Sequence, residues 1–256
     1  MKKIYKTFSF ALAFLMLLGI TTAASADVCL HWYIKRRPGK APLFPREAEE
    51  ISAYNAYYID KEAAEKSERK IYLTFDAGYE NGNVEKILDV LKQENVPAAF
   101  FLLDNIILKN TDLVLRMADD GHLVCNHTKN HKNLSSSDSA EIENNLTALE
   151  KIYKEKCGRE MAKFFRFPEG AYSMNALKSV NDLGYKTVFW SFAYDDWDNS
   201  RQPSKEKSIR KVLDGTHEGA IMLFHPTSST NAEILPELIK EWRKMGYSFG
   251  SLDELK

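Results

Sequence analysis

The feature that most constrains the fold of this chain is a regular alternation of strand-like and helix-like segments after residue 70. The strand-like runs are short and apolar on both faces, and the stretches between them have apolar residues at helical spacing. Such strands favour a parallel sheet that is covered by helices. The strand-like runs are IYLTFD (71–76), AAFFLL (98–103), HLVCNH (122–127), KFFRF (163–167), KTVFWSF (186–192), AIMLFH (220–225) and YSFGSL (247–252).

Seven repeating units of this kind indicate a closed, incomplete (β/α) barrel. The alternative is an open doubly wound sheet, but no dinucleotide glycine fingerprint follows any of the strand-like runs. We therefore assign residues 71–256 to one barrel domain. Residues 27–70 are predicted to be an N-terminal segment that packs on the barrel, and 46–70 of it look helical.

The first 26 residues, MKKIYKTFSFALAFLMLLGITTAASA, have the form of a signal peptide. A basic start precedes an apolar run, and Ala24-Ser25-Ala26 matches a signal-peptidase site. An uncleaved membrane anchor is the alternative, but the apolar run is shorter than the roughly 20 residues of a bilayer span. We expect cleavage after Ala26, an exported protein and no stable insertion in the membrane.

Charge and cysteine content exclude several classes of protein. The chain has 35 Lys and Arg against 36 Asp and Glu, so no overall positive field would attract nucleic acid. The three cysteines, Cys29, Cys125 and Cys157, form no CxxC pair, and their odd number argues against a disulfide scaffold. We expect no nucleic-acid partner and a monomer that is stabilised by its core.

Reactive side chains recur where the predicted strands end. Asp76 ends the first strand, His127 the third and His225 the sixth, while Arg166 and Asp196 lie near the ends of the fourth and fifth. Each residue alone has a structural explanation, such as a buried histidine or a salt-bridged arginine. Because active sites of (β/α) barrels form at the carboxyl ends of the strands, the five together predict a site at this edge.

Two histidines with metal-ligand spacing belong to this predicted edge. His127 and His131 are four residues apart where a strand gives way to a loop, which lets both imidazoles meet one cation. The spacing alone also occurs by coincidence.

The remaining polar residues suit hydrolysis of an amide. Asp76 can act as a general base on water, and Arg166 can keep it ionised. His225 can protonate the departing amine, with Asp196 as the carboxylate that orients it. The chain has no GxSxG motif and no cysteine beside a base, so a covalent acyl-enzyme is disfavoured.

These residues lie in motifs that resemble those of a known family. TFDAG, HTKNH, RFPEG (166–170), DDW (195–197) and LFH (223–225) occur in the order and spacing typical of the polysaccharide deacetylase (NodB-homology) family. The resemblance covers roughly residues 70–253. It implies a distorted (β/α)7 barrel with a short N-terminal extension, and an enzyme that removes acetate from N-acetylated sugars.

The resemblance also implies roles for individual residues. It assigns Asp76 as the base with Arg166 as its partner, and His225 as the acid with Asp196 as its partner. A backbone N–H near Glu169 would stabilise the oxyanion. The resemblance further implies that His127 and His131 bind a divalent cation, which we expect to be Zn²⁺. It also implies four substrate-binding residues: Glu169, Gly170, Trp197 and Leu223.

Two positions depart from the family pattern. Ala77 stands where the family has an aspartate that completes a His-His-Asp site, so we expect the cation to bind weakly. Ala193 stands where the family often has an acid. Together with GYENG (78–82) and WSFAYDDW (190–197), these departures resemble the spore-cortex muramic δ-lactam de-N-acetylases of endospore formers.

The subgroup resemblance leads to the predicted function. The substrate would be N-acetylmuramic acid in peptidoglycan glycan strands that lack stem peptides, at the forespore outer face or in the cell wall. Arg36, Arg37 and Arg166 could face its lactyl carboxylate. Three alternatives remain open at this point: an exported N-acetylglucosamine deacetylase acting on peptidoglycan or chitin, a non-catalytic glycan-binding barrel, and a structural cortex protein.

Overall fold

The computed structural model of the chain describes residues 28–256. The predicted signal peptide lies outside these residues. The strands are β1 (Leu30–His31), β2 (Lys35–Arg37), β3 (Lys40–Leu43), β4 (Ala56–Tyr57), β5 (Lys70–Ala77), β6 (Ala98–Leu102), β7 (Leu123–Asn126), β8 (Phe164–Phe165), β9 (Ala171–Tyr172), β10 (Lys186–Val188), β11 (Ala220–Phe224) and β12 (Ser248–Phe249).

The helices alternate with the strands from β5 onward. They are α1 (Ala48–Ile51), α2 (Lys61–Glu65), α3 (Val84–Gln93), α4 (Asp104–Lys109), α5 (Thr111–Asp119), α6 (Ser139–Cys157), α7 (Met174–Asp182), α8 (Lys205–Asp214) and α9 (Ser229–Lys244). Short 3₁₀ turns cover Ser52–Tyr54, Pro168–Gly170 and Leu252–Glu254.

The main sheet is parallel and curved, in the order β11-β5-β6-β7-β8-β10-β4, with β12 paired to the start of β5. Beyond β10 the chain continues to Phe192, which forms a bridge with Met222 of β11 and so brings the two ends of the sheet together. The predicted distorted (β/α)7 barrel is confirmed, because all seven predicted strands occur and helices cover the outside of the sheet.

The N-terminal segment contributes to this sheet. The prediction of a helical stretch over 46–70 was wrong in part, because Asn55 adopts a left-handed conformation (φ 50°) and the chain turns into β4. β4 pairs with β10, and Ile59 bridges Ala220 at the start of β11. The segment therefore occupies the gap between β10 and β11.

Side-chain alternation along β5 places the first residue of the site. Ile71, Leu73 and Phe75 pack outward against the helices, whereas Tyr72 packs into the barrel interior with Phe101, Val188 and Ile221. Asp76 continues the inward row at the carboxyl end of the strand. No helix among the described residues has the length and apolar character needed to cross a membrane.

Candidate active site

A cleft of about 550 Å³ opens at the carboxyl ends of the barrel strands. It brings together residues from the carboxyl ends of five strands, β5, β7, β8, β10 and β11. Its lining consists of Asp76, His127, His131, Phe167, Glu169, Trp190, Ala193, Tyr194, Trp197, Leu223 and His225.

Asp76 is held in this cleft by a short ion pair. Its Oδ1 accepts a hydrogen bond of 2.6 Å from Nη1 of Arg166, and its side chain is only 9% exposed. Burial by itself would raise the pKa of Asp76, but Arg166, with smaller contributions from His127 and His225, holds that pKa below its usual range. Asp76 is therefore a carboxylate at neutral pH.

Arg166 is fixed by contacts on every side of its guanidinium. Its Nε donates to the Val188 carbonyl at 2.9 Å, its Nη2 donates to Thr74 Oγ1 at 2.9 Å, and the group lies 4.2 Å from the centre of the Phe101 ring. The side chain is fully buried. The expectation that Arg166 faces a substrate carboxylate was wrong, because its donors are already engaged beneath the floor of the cleft.

His127 and His131 come together as their spacing predicts. The ring centres are 5.0 Å apart in an edge-to-face arrangement, with Thr128 (φ 67°) and His131 (φ 61°) in left-handed conformations that turn the loop back on itself. Asn126 supports this turn, since its Oδ1 accepts from the Thr128 backbone N–H at 3.0 Å.

The two ring nitrogens of His127 have different partners. Nδ1 lies 2.9 Å from the Arg166 carbonyl oxygen, which can only accept, so this nitrogen carries the proton. Nε2 is left with its lone pair facing Oδ2 of Asp76 at 3.5 Å. Burial lowers the pKa of His127 to about 4, so the ring is neutral at neutral pH. The positive charge bound to the Asp76 carboxylate at neutral pH is therefore that of Arg166 and not of His127.

This arrangement fits a divalent cation only through two imidazoles. Zinc-binding histidines usually donate one ring N–H to a backbone carbonyl or a carboxylate and bind the metal through the other nitrogen. His127 is oriented in this way, with Nδ1 on the Arg166 carbonyl and Nε2 free. No group of three His, Cys, Asp or Glu side chains suited to a metal occurs within residues 28–256. His127 and His131 would thus supply two ligands, and water or substrate oxygen would have to supply the others.

Ala77 does not line the cleft. It is 1% exposed and belongs to the outward row of β5, in the cluster that contains Phe75, Leu102 and Ile106. Its side chain therefore lies on the other face of the strand from Asp76.

On the opposite side of the cleft, His225 is bound to Asp196. His225 Nδ1 and Asp196 Oδ1 are 2.7 Å apart, and the His225 backbone N–H donates to Oδ2 at 2.8 Å. The Asp196 side chain is 1% exposed, and that of His225 is 28% exposed. Burial opposes a charge on the imidazole, but the Asp196 carboxylate outweighs this and raises the pKa of His225. His225 is therefore poised to carry a proton.

Several residues that the sequence did not single out complete the site. Asn231, near the start of α9, donates to Asp196 Oδ2 at 2.6 Å and to the His225 carbonyl at 3.1 Å. Asn81 and Asn83, in and next to GYENG, both donate to the Thr227 carbonyl, at 2.9 and 3.1 Å. These contacts tie the loop after Asp76 to the loop after His225. Polar side chains at the start of α9 and in GYENG were the available signals.

The four predicted substrate-binding residues have different surroundings. Glu169 (φ 59°), Trp197, which is 60% exposed, and Leu223 line the cleft. Gly170 does not: it is buried, and a Cβ there would lie 2.8 Å from the Trp190 ring. The Gly170 carbonyl instead accepts a hydrogen bond of 2.8 Å from the backbone N–H of Trp32, and this bond anchors the end of β1 to the 3₁₀ turn.

The cleft thus has an ionised carboxylate on one wall and an imidazole with a raised pKa on the other. A base and an acid that face one cavity suit a hydrolysis in which water is deprotonated and the leaving group is protonated.

Comparison with known proteins agrees with this chemistry. A family model described as polysaccharide deacetylase matches residues 63–188. The peptidoglycan-N-acetylmuramic acid deacetylase PdaA of Bacillus subtilis is 36% identical, over 88% of this chain and 85% of the relative. A peptidoglycan-N-acetylglucosamine deacetylase of Bacillus cereus is 33% identical, over 74% of this chain and 89% of the relative.

The fold has a solved counterpart. The structure of Bacillus subtilis PdaA, a family 4 carbohydrate esterase, superposes with a TM-score of 0.83 at 34% identity, covering 89% of this chain and 96% of that chain.

Proposed function

Since the chain belongs to the polysaccharide deacetylase family and is a carbohydrate de-N-acetylase, we propose that it deacetylates N-acetylmuramic acid in peptidoglycan glycan strands that lack stem peptides. The product would lead to muramic δ-lactam in spore cortex, and the enzyme would act outside the cytoplasm. The observation that carries the chemistry is the pair of oriented groups, Asp76 on Arg166 and His225 on Asp196, which face one cleft.

In the first step, Asp76 acts as the general base. Its carboxylate takes a proton from a water molecule as the water oxygen attacks the acetyl carbonyl carbon, and a tetrahedral intermediate forms. Arg166 keeps Asp76 ionised and fixes its orientation through the 2.6 Å contact. A backbone N–H of the turn at Glu169 would stabilise the oxyanion.

In the second step, His225 acts as the general acid. The C–N bond breaks, the carbonyl re-forms, and the sugar nitrogen leaves as an amine with the proton that His225 supplies. Asp196 holds the donor Nδ1 side of the ring, so that Nε2 is the nitrogen directed at the cleft. The products are acetate and the free amine of the muramic acid.

Deacetylases of this family are generally metal-dependent. In this chain His127 and His131 would hold a divalent cation, which when bound would polarise the acetyl carbonyl. We infer weak binding because residues 28–256 offer only these two imidazoles as ligands, and we take Zn²⁺ as the ion that suits them.

The choice of muramic acid as the substrate rests on the similarity to PdaA and on a contact between two loops of the cleft. PdaA is described as an N-acetylmuramic acid deacetylase. GYENG, which suggested the muramic subgroup, has a structural role here, since Asn81 and Asn83 join the loops of the base and the acid through Thr227. This link makes the residues typical of the subgroup part of the frame of the cleft.

A second candidate is deacetylation of N-acetylglucosamine. The Bacillus cereus relative that acts on N-acetylglucosamine in peptidoglycan is nearly as similar over the part that it shares with this chain. The acid–base machinery described above would serve either sugar, so the two candidates differ only in which substituents the cleft accepts.

Mass spectrometry of muropeptides tests the proposal. Peptide-free glycan strands are incubated with the mature protein, digested with a muramidase and compared with untreated strands. We expect loss of acetyl groups from muramic acid residues, and the same spectra show whether loss of water to a lactam follows. Deacetylation confined to glucosamine residues would favour the second candidate.

A further inference from the structure

A second concave surface, which we call the basic groove, lies between the β2–β3 hairpin and α8. It has a volume of about 410 Å³. Five of the residues that line it are cations and one is a carboxylate: Arg36, Arg37, Lys207, Arg210, Lys211 and Asp214. The whole chain has a formal charge of −1, so this concentration of positive charge is local.

The cations of the basic groove have no ion-pair partner within residues 28–256. Lys205, on the same helix but outside the groove, is by contrast paired with Glu233 at 3.2 Å. Five exposed cations without carboxylate partners repel one another. An anionic ligand that binds in the groove would reduce this repulsion, which favours its binding.

The basic groove shares a wall with the active-site cleft. Arg36 donates from Nη2 to the carbonyl of Ala193 and lies 5.5 Å from the centre of the Phe192 ring. Lys211 Nζ lies 5.9 Å from the centre of the Tyr194 ring. Ala193 and Tyr194 both line the cleft. The groove therefore adjoins the cleft across residues 192–194.

Backbone contacts hold the two sides of the groove together. The N–H of Gly39, in the turn of the hairpin, donates to the Asp214 carbonyl at the end of α8 at 2.8 Å. Arg37 donates from Nε to the Ala41 carbonyl at 2.8 Å, which fixes its side chain along the hairpin. The position of the hairpin against α8 is therefore set by the fold.

We propose that the basic groove binds the free carboxylates of a peptidoglycan glycan strand whose reacting muramic acid residue lies in the cleft. This proposal rests on the proposed function, in which the strand lacks stem peptides. Each such muramic acid residue carries an unmasked lactyl carboxylate, so the strand presents negative charges in series. A chitin-type strand carries none, and the groove would distinguish the two.

The test is binding of peptide-free glycan strands to the mature protein, measured by fluorescence anisotropy at several salt concentrations. The variant is Lys207→Gln/Arg210→Gln, since both residues are exposed on α8 and glutamine is a good helix former. We expect affinity to fall about threefold to tenfold at low salt, with a weaker dependence on salt than in the wild type.

The matched control is Lys151→Gln/Lys156→Gln, which removes the same charge from the exposed face of α6. We expect it to bind like the wild type. Strands whose carboxyls have been converted to methylamides should bind the wild type about as weakly as native strands bind the groove variant.

The outcomes separate the groove from the proposed function. If the groove variant binds strands as tightly as the wild type while both release acetate from muramic acid, the groove proposal fails and the proposed function stands. If binding depends on the groove but no acetate leaves muramic acid, the proposed function fails and the groove remains. If a phosphodiester polymer binds more tightly than the glycan strand, and through the same two residues, the ligand assigned here is wrong.

Discussion

Arg166 Nη1 lies 2.6 Å from Oδ1 of Asp76, and this contact joins two barrel strands that are 90 positions apart in the sequence. One partner is fully buried and the other nearly so. A buried pair of this kind determines both the ionisation of the carboxylate and the direction in which its second oxygen points. The assignment of base and acid follows from this pair and its counterpart, His225 with Asp196.

The first prediction concerns these two groups directly. Asp76→Asn and His225→Ala should each lower kcat by a factor of about 10² to 10⁴, the range for loss of one general acid or base. Acetate release by purified, folded variants measures this, with circular dichroism as the control for the fold. Near wild-type turnover by either variant would refute the role assigned to that residue.

The second prediction concerns the stability of the buried pair. Arg166→Met removes the cation and leaves the Asp76 carboxylate buried without it, which should cost about 3–5 kcal/mol in the free energy of unfolding. The double variant Asp76→Asn/Arg166→Met should lose less than the sum of the two single variants, because no unpaired charge remains. Urea denaturation of the four proteins gives the coupling, and additive losses would contradict it.

The third prediction concerns pH. Asp196 raises the pKa of His225, and the acid must be protonated to act. Activity is therefore present where Asp76 is ionised and His225 protonated, and it is lost as pH rises through the raised pKa of His225. Asp196→Asn removes the negative charge and lowers the pKa of His225. The alkaline limb of the kcat profile should then move to lower pH by about one unit or more. An unchanged alkaline limb would show that another group sets it.

The fourth prediction concerns metal affinity at Ala77. An aspartate there would be buried, so Ala77→Asp should unfold at a lower temperature than the wild type in chelator. If the carboxylate turns toward His127 and His131, Zn²⁺ should restore stability and bind at least about tenfold more tightly, or about 1.4 kcal/mol. Calorimetric titration and thermal unfolding measure both effects.

The result at Ala77 also tests how far the family resemblance extends. In the structure the Ala77 side chain lies on the outward face of β5, so ligation requires the last residue of the strand to turn. A variant that loses stability with no gain in Zn²⁺ affinity would mean that this position cannot supply a ligand here. Wild type that already binds as tightly as Ala77→Asp would mean that another residue supplies the third ligand.

Much of the barrel could be predicted because its signals are local. The apolar run of residues 71–75, for example, indicates β5, and its end at Asp76 places that carboxylate at the edge of the sheet. The periodicity of α3, with Val84, Ile87 and Leu91 buried, indicates the helix. By contrast, β4 is only two residues long and forms where the helical pattern of 46–70 is interrupted at Asn55. The position of β4 depends on the gap between β10 and β11, and no local sequence pattern indicates that gap.

The same distinction holds for the site. The residues at strand ends could be grouped because parallel strands present their carboxyl ends at one edge. Asn231 could not, since it lies within the first turn of α9 and becomes part of the site only through its contact with Asp196. The burial of Arg166 was also invisible, because it depends on how Thr74 and Phe101 surround it.

The most direct test of the central claim is a comparison of substrates. Acetate release is measured from peptide-free glycan strands, from the same strands with stem peptides attached, and from chitooligosaccharides of equal length. We predict that kcat/KM is highest for the peptide-free strands and that the acetate comes from muramic acid. A higher kcat/KM for the chitooligosaccharides would contradict it and identify the protein as an N-acetylglucosamine deacetylase.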